Sequence, residues 1–123
     1  MDYETFFDAI LSIDPKIRYV GIYHKGEMHD KMRKGLQSLL TPEETKTSIV
    51  QAIVRNATRQ VLSIKIGNPI YSTTRYEKVI RSTIPINEND LVMVSMETDS
   101  NHQKIVEQVI KIKDKFIPEL ESR

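Results

Sequence analysis

Residues 41–67 read TPEETKTSIVQAIVRNATRQVLSIKIG, and this run decides the fold because its periodicity, its start and its stop agree. Val50, Ile53, Val54, Ala57, Val61 and Ile64 recur at three- and four-residue steps, which at about 100° per residue gathers them into one stripe. Thr41 offers its hydroxyl to the amide of Glu44 while Glu44 reaches back, Pro42 suits the first turn, and Gly67 followed by Pro69 closes the far end. The pattern predicts one long helix whose apolar stripe lies on a sheet. About half a turn away, Ser48, Ala52, Arg55, Arg59, Leu62 and Ile66 make a second, mixed face, too apolar to be an ordinary wet one. That face is the expected contact surface for another molecule.

The flanking sequence supplies the sheet. Ile17 to Lys25 alternates as a strand, Lys25-Gly26 makes a tight turn, and Glu27 to Met32 returns as its partner. The two-residue loop sets the register: His24 pairs with Glu27, Tyr23 with Met28, Ile22 with His29 and Tyr19 with Met32. Downstream of the long helix, residues 68–74 read as a loop across the sheet edge. Tyr76 to Ile86 reads as the third strand, and Leu91 to Met96, the most apolar one, belongs in the centre. Helices bracket the whole. Asp2 caps one carrying Tyr3, Phe6, Phe7, Ile10 and Leu11 on a single face, and Ser100 with Gln103 opens another with a core stripe of Ile105, Val109, Ile112, Phe116 and Leu120.

Composition narrows the function. The 123 residues suit a single domain with one core, spanning 1–123. Lys and Arg number 18 against 17 Asp and Glu, so the net charge of +1 gives no global field toward nucleic acid or anionic lipid, and neither is an expected partner. There are no cysteines, which removes thiol catalysis and Cys-based zinc sites. No apolar run is long enough to span a membrane, and Met1-Asp2-Tyr3-Glu4 is acidic where a secretion signal is basic and then apolar; the expectation is a cytoplasmic protein.

The order helix, hairpin, long helix, strands, helix resembles the profilin-like α/β sandwiches, and among them the roadblock-type dynein light chains and their prokaryotic relatives. The residues that carry the resemblance are Ile17-Arg18-Tyr19-Val20-Gly21-Ile22 turning through Lys25-Gly26, and Leu91-Val92-Met93-Val94 before a terminal helix. Ile13-Asp14-Pro15-Lys16-Ile17-Arg18-Tyr19-Val20-Gly21 and Tyr76-Glu77-Lys78-Val79 also resemble a group of short archaeal proteins with no assigned function. The resemblance implies an α+β sandwich on a central antiparallel sheet of four to five strands. It further implies homodimers whose sheets join edge to edge with long helices side by side, acting as platforms or regulators for small GTPases. On that implication a twofold partner sits near Arg55 and Arg59.

Three local groupings carry possible chemistry. His24, Glu27 and His29 share a hairpin face, and two imidazoles with a carboxylate would suit zinc or copper; exposed polar residues at a turn are the plainer reading. Arg55 and Arg59, with Arg75 and Arg81, could form an anion patch, although helix arginines at this spacing usually pair with acids. Tyr19, Tyr23 and Tyr71 mark a possible ligand pocket between the sheet and the 68–74 loop. With only four glycines and no phosphate-loop motif, a nucleotide-cradling loop is excluded, no cofactor is expected, and no acid–base dyad is visible. The reading that follows is a non-catalytic homodimeric interaction platform. The alternative is a small-ligand sensor domain of PAS/GAF-like type.

Overall fold

The computed structural model describes residues 2–121, and side chains as far as residue 118. Leu120, expected on the last core stripe, lies outside the described side chains. Asp2 caps α1 (Tyr3–Leu11) by accepting from the Thr5 amide at 2.9 Å. β1 (Ile17–His24) and β2 (Glu27–Met32) form the hairpin in the expected register, from His24 opposite Glu27 to Tyr19 opposite Met32. Its turn places Lys25 at φ 52° and Gly26 at φ 80°, the left-handed pair that matches strand twist.

The chain then crosses to α2 (Pro42–Gln60), opened by the Thr41–Glu44 capping box, with a single further turn, α3 (Ser63–Ile66), ending at Gly67 with φ 88°. The long run is therefore two helices, not one. Thr58 donates to the Val54 carbonyl within the last turns of α2, a bond that bends helices, and beyond Gln60 few side chains touch the sheet.

β3 (Ser72–Arg75), β4 (Ile80–Pro85) and β5 (Leu91–Met96) complete an antiparallel sheet in the order β2-β1-β5-β4-β3, before α4 (His102–Glu121). The single strand expected over Tyr76–Ile86 is a correction: a turn closed by the Tyr76 amide on the Val79 carbonyl at 2.8 Å takes its first four residues, and the supposed loop at 68–74 holds the first three residues of the edge strand β3. β5 is central, as expected.

One face of the sheet carries the main core. Val20, Ile22, Ile80, Ile84, Val92, Val94 and Met96 meet Phe6, Phe7 and Ile10 of α1 and Ile105, Val109 and Phe116 of α4. Three carbonyls at the junction of α1 and β1, those of Leu11, Asp14 and Ile17, accept from the Arg33 guanidinium. The other face receives α2 through a much smaller cluster, Ile49 and Ala52 on Leu91 and Met93, with Ile53, Tyr23 and Met28 beside it.

That contact corrects the expected helix orientation. Val50, Val54, Val61 and Ile64 are 53–92 % exposed, whereas Ile49, Ala52 and Asn56 are buried. The stripe that faces the sheet is displaced by one residue, about 100° around the axis. Two features of the interface account for it. Ala52 permits close approach to β5, and Asn56, 1 % exposed, donates to the Asn87 and Glu88 carbonyls at 3.2 and 3.5 Å, so a polar anchor outweighs the most apolar stripe.

Candidate interaction surface and ligand cleft

The mixed face of α2 is divided by its own sheet. Ala52 is 1 % exposed against Leu91 and Met93, and the Ser48 hydroxyl accepts from Arg81 at 3.0 Å, so those two members of the expected contact surface are spent within the chain. Arg55, Arg59, Leu62 and Ile66 remain outward. They flank the β3 side of the helix, because Arg59 donates to the Ser72 hydroxyl at 3.3 Å.

From there an exposed apolar run leads to the sheet edge: Val61 (75 %), Leu62 (57 %), Ile64 (92 %), Ile66 (79 %), Ile70 (62 %) and Tyr71 (45 %). β3 follows at once and, among the described residues, pairs only with β4, leaving its outer row of backbone donors and acceptors open. The opposite edge, β2, carries Glu27, His29, Asp30 and Lys31, charges of the kind that discourage strand addition; β3 offers Ser72, Thr73, Thr74 and Arg75.

The hairpin histidines do not assemble into a ligand set with Glu27. His24 is 1 % exposed and shares a 2.9 Å hydrogen bond from Nδ1 with the Tyr3 hydroxyl of α1. His29 pairs through Nε2 with Glu27 Oε2 at 3.0 Å, and its ring stacks on Tyr3 at 4.2 Å. Tyr3 of α1 thus covers His24 and packs on His29, while Glu27 and the Lys25-Gly26 turn stay exposed. Among the described residues no group of three or more His, Asp or Glu side chains could hold a metal ion.

The expected tyrosine pocket is likewise not formed as a unit. Tyr19 and Tyr23 line a cleft with Met28, Ile49 and Ile53, whereas Tyr71 precedes β3, three strands away from β1, and is exposed. Arg75 stands apart from the other three members of the expected arginine patch. Arg75 donates to the Thr98 carbonyl at 2.9 Å and shares the face of its partner Ile80, opposite to that of Arg81.

The alternation of the strands does build something the sequence reading missed. Under the first half of α2, one row across the sheet reads Met32, Tyr19, Ser95, Arg81, Thr74. A cleft of about 840 Å³ opens above it, walled by Ser48 and Gln51 of α2, the 38–41 segment and the 76–79 turn. The Tyr19 ring lies over Gly21, where a Cβ would sit 2.7 Å from the Tyr19 hydroxyl oxygen. Burial, then the carboxylate of Asp30, which accepts from that hydroxyl at 3.0 Å, push the phenol well above its usual pKa. Burial pulls the Arg81 guanidinium below its usual value.

No protein-family model matches the sequence, and no curated protein matches it. Solved structures do. A Roadblock/LC7 domain from Streptomyces avermitilis aligns over 98 % of this chain and 99 % of its own at TM-score 0.75 and 9 % identity. Myxococcus xanthus MglB aligns over the full length of both chains at TM-score 0.71 and 14 % identity, and an MglB solved in a tetrameric arrangement covers 91 % of this chain and 88 % of its own at TM-score 0.61 and 15 % identity. At these identities the likeness is one of architecture, and it agrees with the strand order and helix placement described above: the chain adopts the Roadblock/LC7 fold.

Proposed function

We propose that this protein is a non-catalytic interaction platform that pairs with a second copy of itself through the β3 edge and the adjoining flank of α2. The observation that carries the reading is the exposed run from Val61 to Tyr71, which delivers apolar side chains directly beside an unpaired strand edge. Joining two such edges would satisfy the open backbone groups and cover Leu62, Ile66 and Ile70 together. The tetrameric arrangement of one MglB supports self-association within the fold. The finer reading, a small GTPase-type signalling partner in the cytoplasm, rests on the roadblock resemblance. Among the described residues no helix is long and apolar enough to cross a membrane.

The non-catalytic part is supported by the chemistry of the cleft. Tyr19, its pKa raised, and Arg81 both keep their protons at neutral pH, so neither serves there as a base.

Light scattering coupled to size-exclusion chromatography tests the pairing. Leu62→Glu places a charge on a side chain that the isolated chain leaves 57 % exposed, so the fold survives while the dimer shifts toward monomer. A wild type that stays monomeric at high concentration, or a variant that stays dimeric, removes the reading.

A further inference from the structure

We propose that the cleft under the first half of α2 binds a small organic carboxylate with an apolar body, held by the Arg81 guanidinium. The inference is independent of self-pairing, since it rests on a different wall of the molecule. Sheet positions beneath a packed helix are ordinarily apolar, as Leu91 and Met93 are here, yet Arg81 occupies one between Ser95 and Thr74. Keeping a cation half-buried costs solvation, and that cost is normally offset by an acid.

No acid offsets it among the described residues. Nη2 donates to the Ser48 hydroxyl and to the Met93 sulfur, whereas no side chain or backbone acceptor meets Nε or Nη1. The charged or ionisable groups that act on Arg81 are the phenols of Tyr76 and Tyr19 and the cation of Arg55. The unused N–H groups of Nε and Nη1 lie on different edges of the guanidinium, so each can give a carboxylate oxygen one charge-assisted hydrogen bond.

The surroundings select the rest of the ligand. Met32, Leu40, Tyr76 and Val79 give the cleft apolar walls, and its volume of about 840 Å³ falls within the range of small-molecule sites. The other arginine of the lining, Arg18, is taken by Glu97 at 2.7 Å. Glu43 and Glu77 are exposed members of the same lining, and Glu44 is held by the Thr41 amide. Lys78, exposed on the 76–79 turn, is the remaining cation; Arg18, Lys78 and Arg81 are balanced in the lining by Glu43, Glu44 and Glu77, and the absence of a net positive charge favours a monoanion over a phosphate dianion.

The probe is 4-phenylbutyrate, titrated into the full-length protein and followed by amide chemical shifts and calorimetry, with neutral 4-phenylbutyramide and inorganic phosphate as comparisons. Saturable binding is expected, with shifts gathered at Gly21, Ser48, Gln51 and Ser95. The amide and inorganic phosphate should bind at least about tenfold more weakly, and Arg81→Gln should lose a similar factor for the acid, the scale of one charged hydrogen-bonding group. Arg81→Met, which removes the charge and keeps the length of the side chain, supplies the same comparison if Arg81→Gln lowers the melting temperature. Leu62→Glu, whose side chain is not in the cleft lining, should bind the acid as the wild type does. Equal binding of acid and amide, tighter binding of phosphate, unchanged affinity in the Arg81 variants, shifts located elsewhere, or no binding below about 10 mM, a scale weaker than any recognition site of this size, overturns the proposal.

Discussion

Replacing Ile49 by alanine removes most of a side chain that is 2 % exposed and sits on Leu91 and Met93, in the small cluster that seats α2. Its neighbour Val50 is 53 % exposed, so Val50→Ala is the matched control on the same helical turn. Large-to-small changes of a buried isoleucine cost about 2–5 kcal/mol, depending on how far the site collapses. The cleft beside Tyr23 and Met28 also reaches Ile49, so water and side-chain movement can fill part of the space, which places the loss near the lower end. Alanine returns about 0.4 kcal/mol of helix propensity, leaving a net destabilisation of about 2 kcal/mol. Val50→Ala gives up roughly half the burial of two methyl groups and recovers a similar amount in propensity, for a net change within about 0.5 kcal/mol. For a chain of this size 1 kcal/mol shifts Tm by about 3–6 °C, so thermal unfolding by circular dichroism should show a drop of about 6–12 °C for Ile49→Ala and about 3 °C or less for Val50→Ala. Working at low protein concentration keeps self-pairing from contributing. A larger loss for Val50→Ala than for Ile49→Ala would restore the helix face that the bare periodicity implied and refute the orientation of α2.

Arg33→Met removes the guanidinium that serves the Leu11, Asp14 and Ile17 carbonyls and should lower stability in urea by about 2–3 kcal/mol, less than the sum of its bonds because water reaches the half-buried site; a loss under about 0.5 kcal/mol would show those bonds to be incidental. The exposed Lys16–Asp99 pair, at 2.8 Å, lowers the Asp99 pKa and raises that of Lys16, each chiefly through the hydrogen bond between them. Its contribution is therefore present above the unfolded carboxyl pKa, fades as pH falls through the lower folded value, and fades again as pH rises through the raised lysine value. The melting difference between wild type and Lys16→Met should be small at neutral pH, disappear near pH 2 and shrink in high salt; a difference that persists in acid assigns it to packing of the lysine stem instead.

The hairpin was legible because a two-residue turn leaves one register, and the pairings from His24–Glu27 to Tyr19–Met32 follow from it without tertiary information. β5 was legible because a run buried on both faces is apolar at every position but Ser95. The rotation of α2 was not, since periodicity identifies apolar stripes and cannot say which one a partly polar sheet accepts; the deciding group, Asn56, looks like a surface residue until the Asn87 and Glu88 carbonyls are beside it. β3 was missed because four residues carry too little alternation to outvote Asn68 and Pro69. Of the expected contact face, Arg55, Arg59, Leu62 and Ile66 are exposed, whereas Ser48 is half-buried and Ala52 is buried. The signal that could have singled out Arg81 is its place between Ile80 and Ile84 on a strand whose neighbours alternate inward, where an arginine needs a reason.

The slenderness of the seat under α2 has a dynamic consequence. Helices α1 and α4 share one continuous core with the sheet, whereas α2 rests on Ile49, Ala52, Ile53 and Asn56 with clefts on either side. In native-state hydrogen–deuterium exchange its amides should open as a separate cooperative unit, at a free energy well below that of global unfolding, while β1 and β5 exchange last. Whatever occupies the cleft or covers the outer flank of this helix would then slow exchange along its whole length, so occupancy at either place is communicated to the other through the stiffness of a single loosely held rod.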